Sequence, residues 1–420
     1  MKKKRFSLNA WILGGAAAGL FLGMFLRLSP GTPGTSLVLG ACAVAGGVFI
    51  GLLKMILMPL VVLSISSGIA NLADHARMTR VWILTLLFFA TTTMFSVAVS
   101  MSAMNAFRPG AGMDVGIFKS EMASFHAEGL SVGQFFVKFL SGLFINPFQA
   151  LAETQVLPAV VFAILFGAAL VAAGEKSRQL RVLLSEAMAV VMTMVEWIMW
   201  LAPVGILALL AQLVATQDLR LFGSLGTFAA VVIGATLFHG LVTLPGVLWV
   251  LTRIGPFRFF QGVREALITA FATSSSSATM PVTMRCLNEN LKVDKNIGGF
   301  VVPLGATVNM DGTAIYESAA ALFVANLVGI ELNFTQQLIV FFTAMLAAVG
   351  APGIPSAGMV TMVMVLQAVG LPAEAVAILI PIDRPLDAIR TAVNVEGDCV
   401  GSCIVQRWAG GPRQNGKIEP

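Results

Sequence analysis

The richest polar chemistry in the chain lies in Pro381-Ile-Asp-Arg-Pro-Leu-Asp-Ala-Ile-Arg-Thr-Ala-Val-Asn-Val-Glu-Gly-Asp398. At 100° per residue, Asp383, Asp387, Arg390, Asn394 and Asp398 share one helical stripe, with Thr391 at its edge. The residues around them are apolar, and a charge at the centre of a bilayer costs at least about 2.5–3.5 kcal/mol. Charges retained at that cost either pair with one another or bind something. Three carboxylates facing Arg390 exceed what an ion-pair network needs, even with Arg384 expected to neutralise Asp383. A carboxylate left over takes up a proton or a cation. Carboxylate and carbonyl oxygens suit a hard cation such as Na+, by analogy with the oxygen ligands of Ca2+ and Mg2+. Arg390 supplies a planar fork that matches a carboxylate at two points. Glu396 lies off this stripe, and the sequence offers no role for it.

A second constellation is Pro303-Leu-Gly-Ala-Thr-Val-Asn-Met-Asp-Gly-Thr313, followed by Tyr316 and Glu317. Gly305 and Gly312 weaken the helix around Asn309 and Asp311, which would free backbone carbonyls beside a carboxylate. An ion site at membrane depth needs that arrangement; the alternative is a glycine-rich packing surface with two hydrogen-bonded polar groups. A third, Thr273-Ser-Ser-Ser-Ser-Ala-Thr279 ahead of Pro281, would offer amides and hydroxyls to a carboxylate if it forms a helical tip. Serines in such runs also satisfy backbone or pack helices. The fourth is Phe88-Phe-Ala-Thr-Thr-Thr93, and on this stretch alone its hydroxyls are expected to bond back to their own helix.

The elements that must hold these residues belong to a chain of 420 residues, 57% apolar and 11% charged, with mean hydropathy +0.88. Soluble domains carry about 25% charged residues, so a water-facing surface cannot be built from this inventory. Disorder is excluded because there is ample apolar surface to bury. Apolar segments fall at about 8–28, 36–72, 80–106, 133–173, 181–214, 221–252, 297–329, 334–369 and 373–406. Several exceed the roughly 20 residues that cross a bilayer. Ala272–Pro281 and Gly350–Pro355 interrupt this pattern. They read as tips of re-entrant helical hairpins, against the alternative of a kink or an aqueous loop. The basic opening Lys2–Arg5 and the apolar run after it read as a retained first helix. Cys42, Cys286, Cys399 and Cys403 lack metal-ligand spacing with His75, His126 or His239, so neither a zinc site nor a disulfide scaffold is expected.

Eighteen of the 26 basic residues gather at one set of segment ends, from Lys2–Arg5 through Arg80, Lys176, Arg253 and Arg285 to Lys417. The opposite ends hold Arg27, Arg108, Lys119 and Arg220. By the positive-inside rule both termini are cytoplasmic and the 107–132 connection is extracellular. Basic residues scattered over short loops also exclude a nucleic-acid partner, which would need a continuous stripe.

Taken in order, Ser274–Thr279, Asn309-Met-Asp-Gly-Thr313, Gly350–Gly358 and Asp387-Ala-Ile-Arg-Thr-Ala-Val-Asn394 with Gly397-Asp398 resemble the hallmarks of the dicarboxylate/amino acid:cation symporters, the glutamate transporter family. Asn146-Pro-Phe-Gln-Ala-Leu-Ala-Glu153 extends the resemblance, which covers nearly the whole chain. It implies an all-α integral membrane fold of inverted repeats, an architecture known for an archaeal member. Eight transmembrane helices and two re-entrant hairpins would form a homotrimer of scaffold and transport domains in the plasma membrane, or the inner membrane of a Gram-negative bacterium. The implied division is 1–78 scaffold helices 1–2, 79–107 transport helix 3, and 108–214 an extracellular loop with scaffold helices 4–5. Then come 215–252 transport helix 6, 253–288 hairpin 1, 289–333 helix 7, 334–369 hairpin 2 as the gate, 370–408 helix 8 and 409–420 a cytoplasmic tail.

By position within that family, Arg390 would bind the substrate side-chain carboxylate and Asp387 its amino group. Thr391, Asn394 and Thr313 would complete the pocket, closed from the tips by Ser275, Ser276, the Ile354 carbonyl and Gly358. One Na+ would use the carbonyls of Gly305, Asn309 and Asn394 with Asp398. A second would use Thr307 with carbonyls of Ala348, Val349 and Ala351. A third would use Thr92, Thr93, Asn309, Asp311 and the carbonyl of Phe89, where relatives often carry Tyr. Glu317 matches the glutamate that couples H+ or K+ in animal members; a neutral structural Glu is the alternative. Two departures stand out. Ser274 and Ala388 occupy the positions where relatives carry a tip or helix-8 arginine, and Arg384, one turn earlier, is the expected substitute.

The leading expectation is therefore Na+-driven symport of L-aspartate or L-glutamate by an elevator motion, with H+ or K+ as further coupling ions and no enzymatic activity. Proton-coupled glutamate or C4-dicarboxylate symport is the alternative within the class, and Asp387 speaks against a substrate without an amino group. An intramembrane aspartyl protease needs two carboxylates sharing a proton, whereas Arg390 and Asn394 crowd Asp387 and the Gly-x-Gly-Asp pattern is missing. An ion channel would show no saturable, gradient-dependent accumulation.

Overall fold

A computed structural model describes residues 8–28, 31–70, 79–112, 141–142, 144–153, 156–216, 220–351, 353 and 357–409. Among them every regular element is helical. In chain order they are α1 (Leu8–Leu28), α2 (Pro33–Ala70), α3 (Thr79–Phe107), α4 (Pro147–Ala152), α5 (Val156–Ala173) and α6 (Arg178–Thr216). They continue as α7 (Arg220–Phe238), α8 (Leu244–Thr252), α9 (Pro256–Thr273), α10 (Ser276–Glu289) and α11 (Lys295–Val308). The last four are α12 (Asp311–Leu327), α13 (Phe334–Gly350), α14 (Ala357–Ala368) and α15 (Val376–Ala409). The 113–132 part of the connection and most of the tail, both assigned from sequence, lie outside the described residues.

The helices sort into two packed groups. In the first, α1 and α2 pack along the 39-residue α6, and α5 packs on α2. Gly15, Gly19 and Gly23 let the α1 backbone close onto α6, where an added methyl would lie 2.6 Å from the Leu207 carbonyl and 2.7 Å from that of Ala211. Small residues four apart are the usual means of such approach. The outer face stays apolar, with Phe21, Phe25, Trp197 and Trp200 exposed, as lipid contact requires. In the second group α3, α7 and α9 to α14 assemble around α15. α12 is the most enclosed, with every residue from Asp311 to Ala325 buried.

By length and composition, two described helical stretches, Arg80–Phe107 and Arg220–Thr252, are long and apolar enough to cross a membrane. A bent pair, Val161–Ile198 with Trp200–Thr216, would make a third at an angle of 44°. The 38-residue apolar α2 runs on through Pro59.

Three breaks in the second group position the polar residues. Between α9 and α10 the chain turns at Ser274, whose φ of 50° ends α9, and Ser275 caps α10 by accepting from Ala278 N at 3.1 Å. The two helices pack against each other, as do α13 and α14 across residues 351–356. The third break is Asn309–Met310, where both residues leave helical geometry between α11 and α12. This is the stretch that Gly305 and Gly312 were expected to weaken. A fourth irregularity had no sequence signal: α7 passes into α8 through a π-helical turn, His239–Thr243. Such wide turns recur at functional sites.

Candidate functional site

The broken α11/α12 junction meets the polar stripe of α15 inside the second group. Gly312 N donates to Asn394 Oδ1 at 2.8 Å, and Asn394 Nδ2 reaches Thr313 Oγ1 at 3.3 Å and Met310 Sδ at 3.2 Å. Asn309 Nδ2 donates to Asp398 Oδ1 at 2.9 Å and to the Asn394 carbonyl at 3.3 Å. The approach depends on absent side chains. A methyl on Gly312 would lie 2.6 Å from the Arg390 carbonyl, and one on Gly397 2.5 Å from Asn309 Nδ2. A methyl on Gly305 would overlap Asp398 Oδ1.

Arg390 forms the centre of the pocket and is 1% exposed. Its Nη2 donates to Asp383 Oδ1 and to Asp387 Oδ1, each at 2.9 Å. Its Cζ lies 3.8 Å from the centroid of the Tyr316 ring, a cation–π contact strengthened by removal of water. Both Nε and Nη1 are buried and have no hydrogen-bond partner among the described residues. A methyl built on Gly358 would sit 3.6 Å from Nη1 and 3.2 Å from Thr313 Cγ2, so the start of α14 approaches the open edge of the fork. The sequence assigned Arg384 to Asp383; the structure instead pairs Arg384 Nη1 with Asp387 Oδ2 at 3.3 Å, leaving Asp383 to Arg390. The i,i+3 spacing brings Arg384 and Asp387 together on one face. Thr391 is buried beside them.

From the other side the α9/α10 turn closes on residue 353. Ser275 Oγ donates to the Gly353 carbonyl at 2.8 Å and Ser277 N does so at 3.1 Å. Ser276, at the start of α10, is buried. Ile354 lies outside the described residues.

The oxygen-rich side of the site lies deeper. Thr92 and Thr93 hydroxyls donate to the Phe89 carbonyl at 3.1 and 2.8 Å, the back-bonding expected of them. Thr93 Oγ1 also lies 2.6 Å from Asp311 Oδ1, 218 positions away. Asn309 Oδ1, two positions before Asp311, is buried with no hydrogen-bond partner among the described residues. Asn309, Asp311 and Asp398 are at most 1% exposed. Buried carboxylates, a lone amide oxygen and hydroxyls make a donor set of hard oxygens that fits an alkali cation. The remaining residues assigned to a second cation are less engaged. Thr307 Oγ1 bonds its own helix at the Leu304 carbonyl, 3.0 Å, and the Ala348 carbonyl accepts from Ala351 N at 3.4 Å. Val349 is half-buried.

Three partners had no sequence signal. His239, fully buried in the π turn, places Nε2 2.9 Å from Asp311 Oδ2. Thr361 on α14 donates to Glu317 Oε1, while Oε2 is buried with no partner among the described residues. Glu396 is buried against the same π turn, its Oε2 3.0 Å from a methyl built on Gly240.

A family model described as the sodium:dicarboxylate symporter family matches residues 8–408. The human neutral amino acid transporter B(0) is 36% identical over 423 residues, covering 92% of this chain and 78% of the relative. Human excitatory amino acid transporter 3 is 34% identical over 454 residues, covering 96% and 86%. A putative sodium-dependent excitatory amino acid transporter of Caenorhabditis elegans is 33% identical over 449 residues, covering 96% and 89%.

Proposed function

Because the chain belongs to the sodium:dicarboxylate symporter family, whose members are membrane transporters and not enzymes, we propose that it carries L-aspartate or L-glutamate across the membrane together with Na+. The relatives named above include both neutral and excitatory amino acid transporters, so the substrate reading rests on Arg390. Its buried Nη1, which faces Gly358, has no hydrogen-bond partner among the described residues. A substrate side-chain carboxylate there would accept a charge-assisted hydrogen bond from Nη1. A neutral side chain would leave a buried cation edge unpaired, and sites built for a polar group reject analogues lacking it by about 10⁴-fold or more. Asp387 receives the ammonium, and Thr313, Thr391 and Asn394 frame the α-carbon.

The cargo cations enter where carboxylates are buried. One is held by Asp398 with the carbonyls of Gly305, Asn309 and Asn394. A second lies by Thr307 and the end of α13. A third sits between Asp311, Asn309, Thr92, Thr93 and the Phe89 carbonyl. Glu317 provides a further coupling group for H+ or K+, supported by its buried, unpartnered Oε2. With its charges neutralised, the second helix group is cheap to move through the bilayer. It crosses as a transport domain against a scaffold of α1, α2, α5 and α6. The pairs α9/α10 and α13/α14 are the two re-entrant hairpins within an eight-span fold, the second being the outer gate. The chain is a homotrimer with both termini cytoplasmic.

The test is substrate competition. Replacing Arg390 with Cys removes the carboxylate partner from a buried site, and losing one half of a desolvated charge pair costs about 2–5 kcal/mol. Aspartate affinity is expected to fall at least about thirtyfold, while uptake of a neutral amino acid such as serine appears or rises. Unchanged aspartate preference in Arg390→Cys would contradict the assignment.

A further inference from the structure

Asp387 is the carboxylate assigned above to the substrate's ammonium, yet both its oxygens are already engaged by the protein's own cations. Oδ1 accepts from Arg390 Nη2 at 2.9 Å, and Oδ2 accepts from Arg384 Nη1 at 3.3 Å. The Arg384 and Asp387 side chains are only 8% and 9% exposed, so the contact is largely removed from water. Arg390 additionally holds Asp383 Oδ1 at 2.9 Å. Two aspartates and two arginines therefore cancel in this cluster. Arg384 differs from Arg390 in where it points its charge. Arg390 keeps Nη1 toward Gly358 and its guanidinium over the Tyr316 ring, whereas Arg384 Nη1 is directed at the oxygen that an ammonium would need.

An ammonium and a guanidinium cannot share Oδ2 without like charges meeting at contact distance in a low-dielectric site. We propose that Arg384 is an internal counter-cation for Asp387, occupying the ammonium's place in the empty carrier and giving it up when substrate binds. The proposal rests on the reading of Asp387 as the ammonium acceptor. It separates two halves of the cycle. When amino acid is bound, its ammonium neutralises Asp387 and Arg384 is dispensable. When the pocket is empty, Arg384 prevents a bare carboxylate from having to cross the membrane interior. Removing the guanidinium should therefore tighten amino acid binding, by abolishing a competitor, and slow the return of the empty carrier. A residue that merely supported the fold would weaken both.

The experiment uses the full chain in proteoliposomes with radiolabelled L-aspartate, comparing wild type, Arg384→Met and Arg384→Lys. Net uptake into aspartate-free vesicles requires the empty carrier to return; exchange with aspartate-loaded vesicles does not. The expected result for Arg384→Met is a ratio of net uptake to exchange reduced at least about tenfold, together with a lower KM for aspartate. Arg384→Lys, which keeps the charge, should restore the ratio. An unchanged ratio in Arg384→Met overturns the proposal, and so does an equal fall in both fluxes or a failure of Lys to restore. If wild type takes up aspartate but the ratio does not move, the counter-cation alone fails; if wild type takes up none under an Na+ gradient, the substrate reading has failed beneath it.

Discussion

Gly305 is the position where a single methyl group probes the proposed cation site at Asp398 most sharply. The α11 helix passes so close to α15 that an ideal Cβ at Gly305 would overlap Asp398 Oδ1, lie 2.6 Å from its Cγ and stand 3.0 Å from Phe89 Cζ. Carbon atoms at rest stay about 3.5–4.0 Å apart, so in Gly305→Ala the carboxylate must retreat by roughly 1 Å. That displacement takes it out of range of Asn309 Nδ2, now at 2.9 Å. Overpacking of this kind costs about 1–3 kcal/mol, and a lost hydrogen bond to a charged group about 1.5–3 kcal/mol. If about half of that falls on the cation site, its affinity drops by about ten- to 150-fold. The assay is the initial rate of aspartate uptake against Na+ concentration, with thermal melting as a check on folding. Gly299→Ala is the matched control, because it makes the same change in the same helix where an added methyl meets nothing within 4 Å. The half-saturating Na+ concentration should rise about tenfold or more in Gly305→Ala and stay at the wild-type value in Gly299→Ala. A folded Gly305→Ala protein with wild-type Na+ dependence would refute the placement of a cation at Asp398.

Two further outcomes follow from the same geometry. A methyl at Gly353 would fall 2.5 Å from the Ala306 carbonyl and 2.7 Å from Ser277 Oγ, so Gly353→Ala should hold the two tips apart and reduce uptake at least about tenfold, by analogy with overpacked cores; fluorescence from a label near residue 353 should report the open state, and normal uptake would count against closure there. Glu317→Gln keeps the shape of the side chain bonded to Thr361 but cannot carry a charge. It should leave Na+-driven exchange intact and abolish any dependence of net uptake on an imposed H+ or K+ gradient, and a gradient dependence that survives would assign that coupling elsewhere.

The parts of this site that were legible in the sequence are those that break a local rule. Charges at helical spacing in an apolar segment announced Asp383 to Asp398, because each would be too costly to keep in lipid without a partner. Glycines flanking Asn309 and Asp311 announced the helix break, which falls between Val308 and Asp311. The hydroxyl run ending at Thr93 was legible only in part. Back-bonding to Phe89 follows from local spacing, but the contact with Asp311 spans 218 positions and needs the fold. His239 obeys every local rule as one polar residue in an apolar helix, and its partner and π-helical turn emerge only from packing. The exchange of partners between Arg384 and Arg390 has a similar origin. Adjacent residues on a helix diverge by 100°, so Arg384 points away from Asp383 and toward Asp387 one turn later. Glu396, unexplained by the stripe, faces Gly240 of the π turn, where a residue without a side chain makes room for it.

Coupling is tested most directly by accumulation of labelled L-aspartate in proteoliposomes under imposed Na+, H+ and K+ gradients, each applied alone. The buried oxygen sites at Asp311 and Asp398 predict saturable uptake that rises above equilibrium only with an inward Na+ gradient and collapses when that gradient is dissipated. Accumulation driven equally well by a proton gradient without Na+, or uptake that neither saturates nor responds to Na+, would contradict that prediction.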